Sequence, residues 1–133
     1  MSNTAGRTSV VLVGLPADHP KVPADMREKV AIGLKKIEST IRETAPDITY
    51  AFLPATPDEP IEHFKQRVLA VEPRVQGMVI GNGIRANMEL TAWMEQLINA
   101  LHEVLPDAKV MFNTFPTDTI DAIRRWFPAS AAK

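Results

Sequence analysis

The sequence predicts a single α/β domain in three layers, built on a short parallel sheet. Three observations lead there. Four short apolar runs alternate with four stretches of helical period, three of those runs lack the polar alternation of a half-exposed strand, and the eleven prolines concentrate in the connections. Strands covered on both faces read as continuous apolar runs, and their alternation with helices is the signature of parallel βαβ units.

The strands are expected at Ser9–Gly14, Ile48–Leu53, Gly77–Gly81 and Lys109–Asn113. The first helix, about Ala24 to Ala45, repeats Met26, Val30, Leu34, Ile37 and Ile41, and Pro46 stops it. The second, about Pro60 to Val71, carries Ile61, Phe64, Val68 and Val71, with Pro60 in its first turn. The third, about Met88 to Leu105, carries Leu90, Met94, Leu97, Ile98, Leu101 and Leu105 before Pro106. The last, about Thr119 to Phe127, carries Ile120, Ile123 and Phe127, capped by Asp118. One domain spans 1–133, with 1–8 and 129–133 expected as frayed tails.

A strand order of 2-1-3-4 is expected, Rossmann-like in its alternation and similar to a shortened flavodoxin-like sheet. Right-handed crossovers then place helices one and four on one face, and helices two and three on the other. The direction of winding reverses between strands 1 and 3, and ligands of open α/β sheets bind outside the strands' carboxyl ends at such a point. Two loops flank it, Gly14–Pro20 and Gly81–Asn87. Strand 4 delivers Asn113, Thr114 and Thr117 next door, and strand 2 brings Thr56, Asp58 and Glu59 to the same edge.

Gly81-Asn-Gly-Ile-Arg-Ala86 is the most informative stretch, because an apolar strand runs into a glycine turn and then a helix. Backbone N–H groups converging there suit a carboxylate or phosphate, with Arg85 as its charge partner. Gly83 would allow close approach of the backbone, while Asn82 and Asn87 would orient polar groups. The expected ligand-binding set is therefore Gly81, Asn82, Gly83, Arg85, Asn87, Asn113 and Thr114. The same stretch fits the G-x-G-x-x-A dinucleotide pattern, but on the third strand and without an acid ending the next one. The plainer alternative is that Gly81 and Gly83 permit positive φ in a turn and Asn87 caps the helix.

Asp18 and His19 are the best available acid and base, on loop position and residue type alone. His63 and His102 fall off the apolar stripes and read as solvent-facing, so no metal set is expected. The acids Asp58, Glu59 and Glu62 suit the start of a helix, and Trp93, Trp126 and Tyr50 border apolar stripes.

Composition narrows the classes. Fifteen basic and sixteen acidic residues leave a formal net charge of −1. Arg27, Lys29, Lys35 and Lys36 share their helix with Glu28, Glu38 and Glu43, so no nucleic-acid stripe is expected. No apolar run reaches a membrane span and the start lacks a signal pattern. Zero cysteines fit a reducing compartment, and the expected setting is cytoplasmic. No G-x-S-x-G elbow or phosphate-cradling G-x-x-x-x-G-K loop occurs. A phospho-receiver would need acids where Gly14-Leu15 and Gly81-Asn82 stand, and a flavodoxin would need a Ser/Thr-rich first loop.

Two functional expectations follow. The first is a domain binding a small anionic molecule, extending to an enzyme of proton-transfer or elimination type, with no cofactor specified. The second is a homo-oligomeric interaction or regulatory module without a small ligand, for which a homodimer packing Arg124-Arg-Trp-Phe127 of the last helix across a two-fold axis is one form. A concave crevice at the switch point favours the first, and a loop filling it favours the second.

Overall fold

β1 (Thr8–Gly14) is the strand around which the others are arranged. Its valine-rich run suits a pleated surface, and Ser9 through Val13 are buried because neighbours cover both edges and both faces. β2 (Ile48–Pro54) and β3 (Gly77–Ile80) flank it, and β4 (Lys109–Phe112) lies beyond β3. All pairings are parallel and the order is β2-β1-β3-β4, as the alternation predicts. This computed structural model describes residues 7–128. Of the tails expected at 1–8 and 129–133, residues 1–6 and 129–133 lie outside the described residues. Thr8 pairs with Ile48 as the first residue of β1, and Arg7 Nε donates to Thr49 Oγ1 at 2.9 Å.

The helices divide between the two faces as right-handed crossovers require. α1 (Arg27–Thr44), entered through a 3₁₀ turn at Ala24–Met26, and α5 (Thr119–Trp126) cover one face. Ile37, Ile41, Ala122 and Ile123 meet Val10, Leu12, Val79 and Met111 there. α2 (Ile61–Ala70) and α4 (Thr91–Val104) cover the other, where Phe64, Val68, Trp93 and Leu97 meet Val11, Val13, Met78 and Ile80. Alternate residues of one strand thus serve two cores, which is why the runs show no polar period.

Gly77 is one place where a glycine is needed for space. A Cβ there would stand 2.6 Å from Met111 Cε and 2.7 Å from Phe127 Cε2, so the Phe127 ring closes directly on the strand. Trp93 is buried, whereas Trp126 is 51% exposed beside Lys109. His63 and His102 face solvent as expected. No helix among the described residues is long and apolar enough to cross a membrane.

Two local expectations are corrected. The segment after β3 does not run from a glycine turn into one long helix. It forms a one-turn helix, α3 (Asn82–Arg85), then a break at Ala86–Asn87, then a 3₁₀ turn at Met88–Leu90 leading into α4. Asp118 occupies the N-cap position of α5, but its carboxylate turns back to accept from Thr114 and Phe115 instead of capping the helix.

The end of α5 is fastened to the connection between α1 and β2. Arg124 donates two hydrogen bonds to Asp47, at 2.9 Å each, and a longer one to the Phe127 carbonyl. These bonds hold the Asp47 carboxyl below its ordinary value, against the opposing effect of burial. Because the folded value is the lower one, the stabilisation is complete above the unfolded carboxylate pKa. It is lost as pH falls through the depressed folded value. Arg124→Met is expected to cost about 1 kcal/mol at pH 7, or roughly 4 °C in Tm. Denaturation of both proteins across pH 7 to 3 should show the difference narrowing only below about pH 4.

Candidate functional site

The carboxyl ends of β1, β3 and β4 enclose a cavity of about 400 Å³, within the size range of small-molecule sites. It lies at the switch point, and no loop fills it. Leu12 and Leu15 come from β1 and its exit, Phe52 from β2, and Ile84 from α3. Met26, Val30 and Leu34 come from the start of α1, and Phe115 from the loop after β4. The lining side chains that carry polar atoms are Lys21, Asn82, Asn113 and Thr114. A mainly apolar wall was not foreseen from the glycine turn.

His19 is buried and holds the first loop together. Its Nδ1 accepts the Lys21 backbone N–H at 3.1 Å, so Nε2 carries the proton and donates to Asp58 at 2.8 Å. The loop also turns on itself through His19 N to Pro16 O and Val22 N to His19 O. With both ring nitrogens engaged, His19 has no free position from which to take a proton. Asp18 beside it is exposed and lines no part of the cavity. The clasp instead ties the β1–α1 loop to the β2–α2 loop and fixes the backbone that presents Lys21 to the cavity.

Asn113, at the end of β4, is the second fastening. Its buried Oδ1 accepts from Asn82 N at 2.9 Å, and its Nδ2 donates to Thr119 Oγ1 at 3.0 Å. One amide thereby joins the end of β4, the start of α3 and the start of α5. Asp118 shapes the neighbouring loop, accepting from the N–H groups of Thr114 and Phe115 and from the Thr114 hydroxyl. Burial works against its ionisation, but these donors outweigh it and hold the carboxyl below the usual value.

Arg85 does not meet an anion here. It ends α3 and donates to Asn113 O at 3.0 Å and Asn82 Oδ1 at 3.2 Å, with its guanidinium 5.6 Å from the Phe112 ring centroid. No carboxylate pairs with it among the described residues, and it lies outside the cavity lining. Asn87 is spent as a cap, accepting from Glu89 N at 2.9 Å. The alternative account of the glycines is also corrected, since no described glycine has positive φ. Gly81 is extended, and a Cβ on Gly83 would meet nothing within 4 Å. For the dinucleotide pattern, Ala86 falls after a single helical turn instead of inside the first turn of a long helix.

The structure therefore gathers Gly81, Asn82, Gly83, Asn113 and Thr114 around the cavity and leaves Asp18, His19, Arg85 and Asn87 outside its lining. Sequence reasoning missed Lys21, whose signal was its place between Pro20 and Pro23 in the flanking loop. It also missed the use made of Met26, Val30 and Leu34, which read as core. Lys21 Nζ pairs with Glu89 at 3.1 Å, and both groups are substantially exposed. Asn82 keeps an amide NH₂ without a hydrogen-bond partner among the described residues. Among these residues no group of three or more His, Cys, Asp or Glu is placed to hold a metal ion.

No protein-family model, curated protein or solved structure matches this chain.

The clasp is asymmetric, and that asymmetry can be measured. Asp58 is largely exposed, so water can replace it, whereas His19 is buried and supplies the acceptor for Lys21 N among the described residues. Urea denaturation should show His19→Ala losing about 2–3 kcal/mol, from lost packing and an orphaned N–H. Asp58→Ala should lose no more than about 1 kcal/mol.

Proposed function

We propose that this chain is a small-molecule-binding domain, and that its ligand presents a carboxylate or phosphate to Lys21 in the switch-point cavity. The observation that carries this reading is the unfilled cavity of about 400 Å³ with Lys21 as the one charged residue in its lining among the described residues. A concave crevice at the predicted place is what binding requires and what an interaction module does not. The Lys21–Glu89 pair is an exposed ion pair of little worth, so an incoming anion takes over the ammonium at small cost. Asn82 lines the same cavity, and its amide NH₂ has no hydrogen-bond partner among the described residues. For a proton-transfer reaction here, Lys21 rather than His19 is the available group, because among the described residues the cavity lining includes no carboxylate or imidazole.

The second reading, self-association without a small ligand, is supported by the exposure of Trp126 beside Lys109 on the edge strand β4. Unprotected sheet edges invite pairing. Sedimentation at micromolar concentrations decides it. A dimer abolished by Trp126→Ser supports this reading, and a monomer removes it.

Thermal shift against inorganic phosphate and a panel of organic carboxylates and phosphates tests the first reading. A ligand at one hundred times its Kd stabilises by about 2.7 kcal/mol, which is readily seen in a domain of this size. Lys21→Gln should abolish the shift, while Arg85→Ala should leave most of it. The opposite pattern would return the anion to Arg85, and no shift with any compound would remove the reading.

A further inference from the structure

The walls of the cavity say more about the ligand than its one charge does. Met26, Val30 and Leu34 follow one another at four-residue spacing, forming an apolar stripe roughly 12 Å long on α1 and its lead-in. Ile37 and Ile41, further along the same stripe, are buried in the core, but Val30 and Leu34 are only half-buried and Met26 is 41% exposed. Phe115, from the loop after β4, is 68% exposed at the same cavity. Large apolar side chains from a helix and a loop thus face a common space that the protein leaves open.

The polar side chains around that space are mostly committed to the fold. Asn113 is used on both sides by Asn82 N and Thr119, and the Thr114 hydroxyl donates to Asp118. A sugar or a nucleotide would bury hydroxyls and ring nitrogens against Leu12, Leu34 and Phe52 with few partners to receive them. A molecule with one charged end and an apolar body meets complementary surface at both ends: Lys21 for the charge, and the α1 stripe with Phe52 and Phe115 for the body.

We infer that the ligand is an amphiphilic monocarboxylate with an unbranched apolar chain lying along Met26, Val30 and Leu34. This rests on the anion-binding reading above and narrows it to a substrate class. A 12 Å stripe matches an extended chain of roughly nine carbons.

The test is calorimetric titration of the full chain with straight-chain carboxylates from two to twelve carbons, kept below micelle formation. Matched alcohols and inorganic phosphate run alongside. Kd is expected to fall about fourfold per added methylene, the fold-change given by ~0.8 kcal/mol per buried CH₂, and to level off near nine carbons. Met26→Gln, at an exposed position that leaves the core untouched, should weaken the longer chains severalfold and leave acetate unchanged. Lys21→Gln should weaken all the acids and bring them close to the alcohols. Binding of phosphate or short acids without dependence on chain length would overturn the amphiphile and leave the anion reading standing. Chain-length dependence equal for acids and alcohols would overturn the charged head and the anion reading with it. No binding of any probe at millimolar concentration would overturn both.

Discussion

The pairing of β1 with β3 is the constraint on which the site depends. Val10 through Val13 lie beside Gly77 through Ile80, and Gly81 N continues the ladder by donating to Val13 O at 2.9 Å. The chain leaving β1 must therefore travel outward to β2, while the chain leaving β3 travels the other way to β4. With right-handed crossovers the first passes over one face and the second over the other. The two exits diverge, and the end of the sheet between them stays open. A sheet wound in one direction only would have its exits leaning the same way over its end, with no such gap.

Topology alone would leave a shallow notch, and three polar fastenings give it walls. His19 and Asp58 bind the loops after β1 and β2 to each other. Asn113 binds the end of β4 to the starts of α3 and α5. Asp118 gathers the Thr114–Phe115 backbone into a fixed turn. The first two satisfy the buried His19 and Asn113, and the third orders groups that are largely exposed. Each also withdraws those groups from a ligand. The polarity that shapes the crevice is thereby removed from its inner surface, and the walls that remain are Leu12, Leu15, Val30, Leu34, Phe52 and Ile84.

The frame of the molecule was legible in the sequence for a physical reason. Parallel strands buried on both faces leave unbroken apolar runs, and helices packed on them leave a 3.6-residue period, so both signals survive without an alignment. The site was legible only as a place. Nothing in the chain announces that His19 meets a carboxylate 39 positions away, because side-chain pairing across loops depends on how those loops turn. α3 was missed because four residues are too few to show a period. Arg85 was misplaced through an assumption about its neighbour, namely that a long helix begins at the glycine turn. With α3 ending at Arg85, the side chain sits at a helix C-terminus, where the macrodipole favours a cation, and folds back on Asn113 O.

The stripe on α1 shows where a periodic pattern stops being informative. Apolar residues at helical spacing report which face leaves water, but not what covers it. The 18 residues of α1 and its three-residue lead-in extend over roughly 33 Å, against roughly 23 Å for the seven residues of β1. The helix with its lead-in is thus longer than the strand by about two turns. Its C-terminal half lies over the sheet, and Ile37 and Ile41 are sealed there. Towards its N-terminal end Leu34 and Val30 pack only partly against the two cores and Met26 is 41% exposed, and all three line the cavity. Folding alone buries these residues only in part, so some of their apolar surface stays in contact with water. The apolar surface that Met26, Val30 and Leu34 keep outside the cores is the surface that lines the cavity.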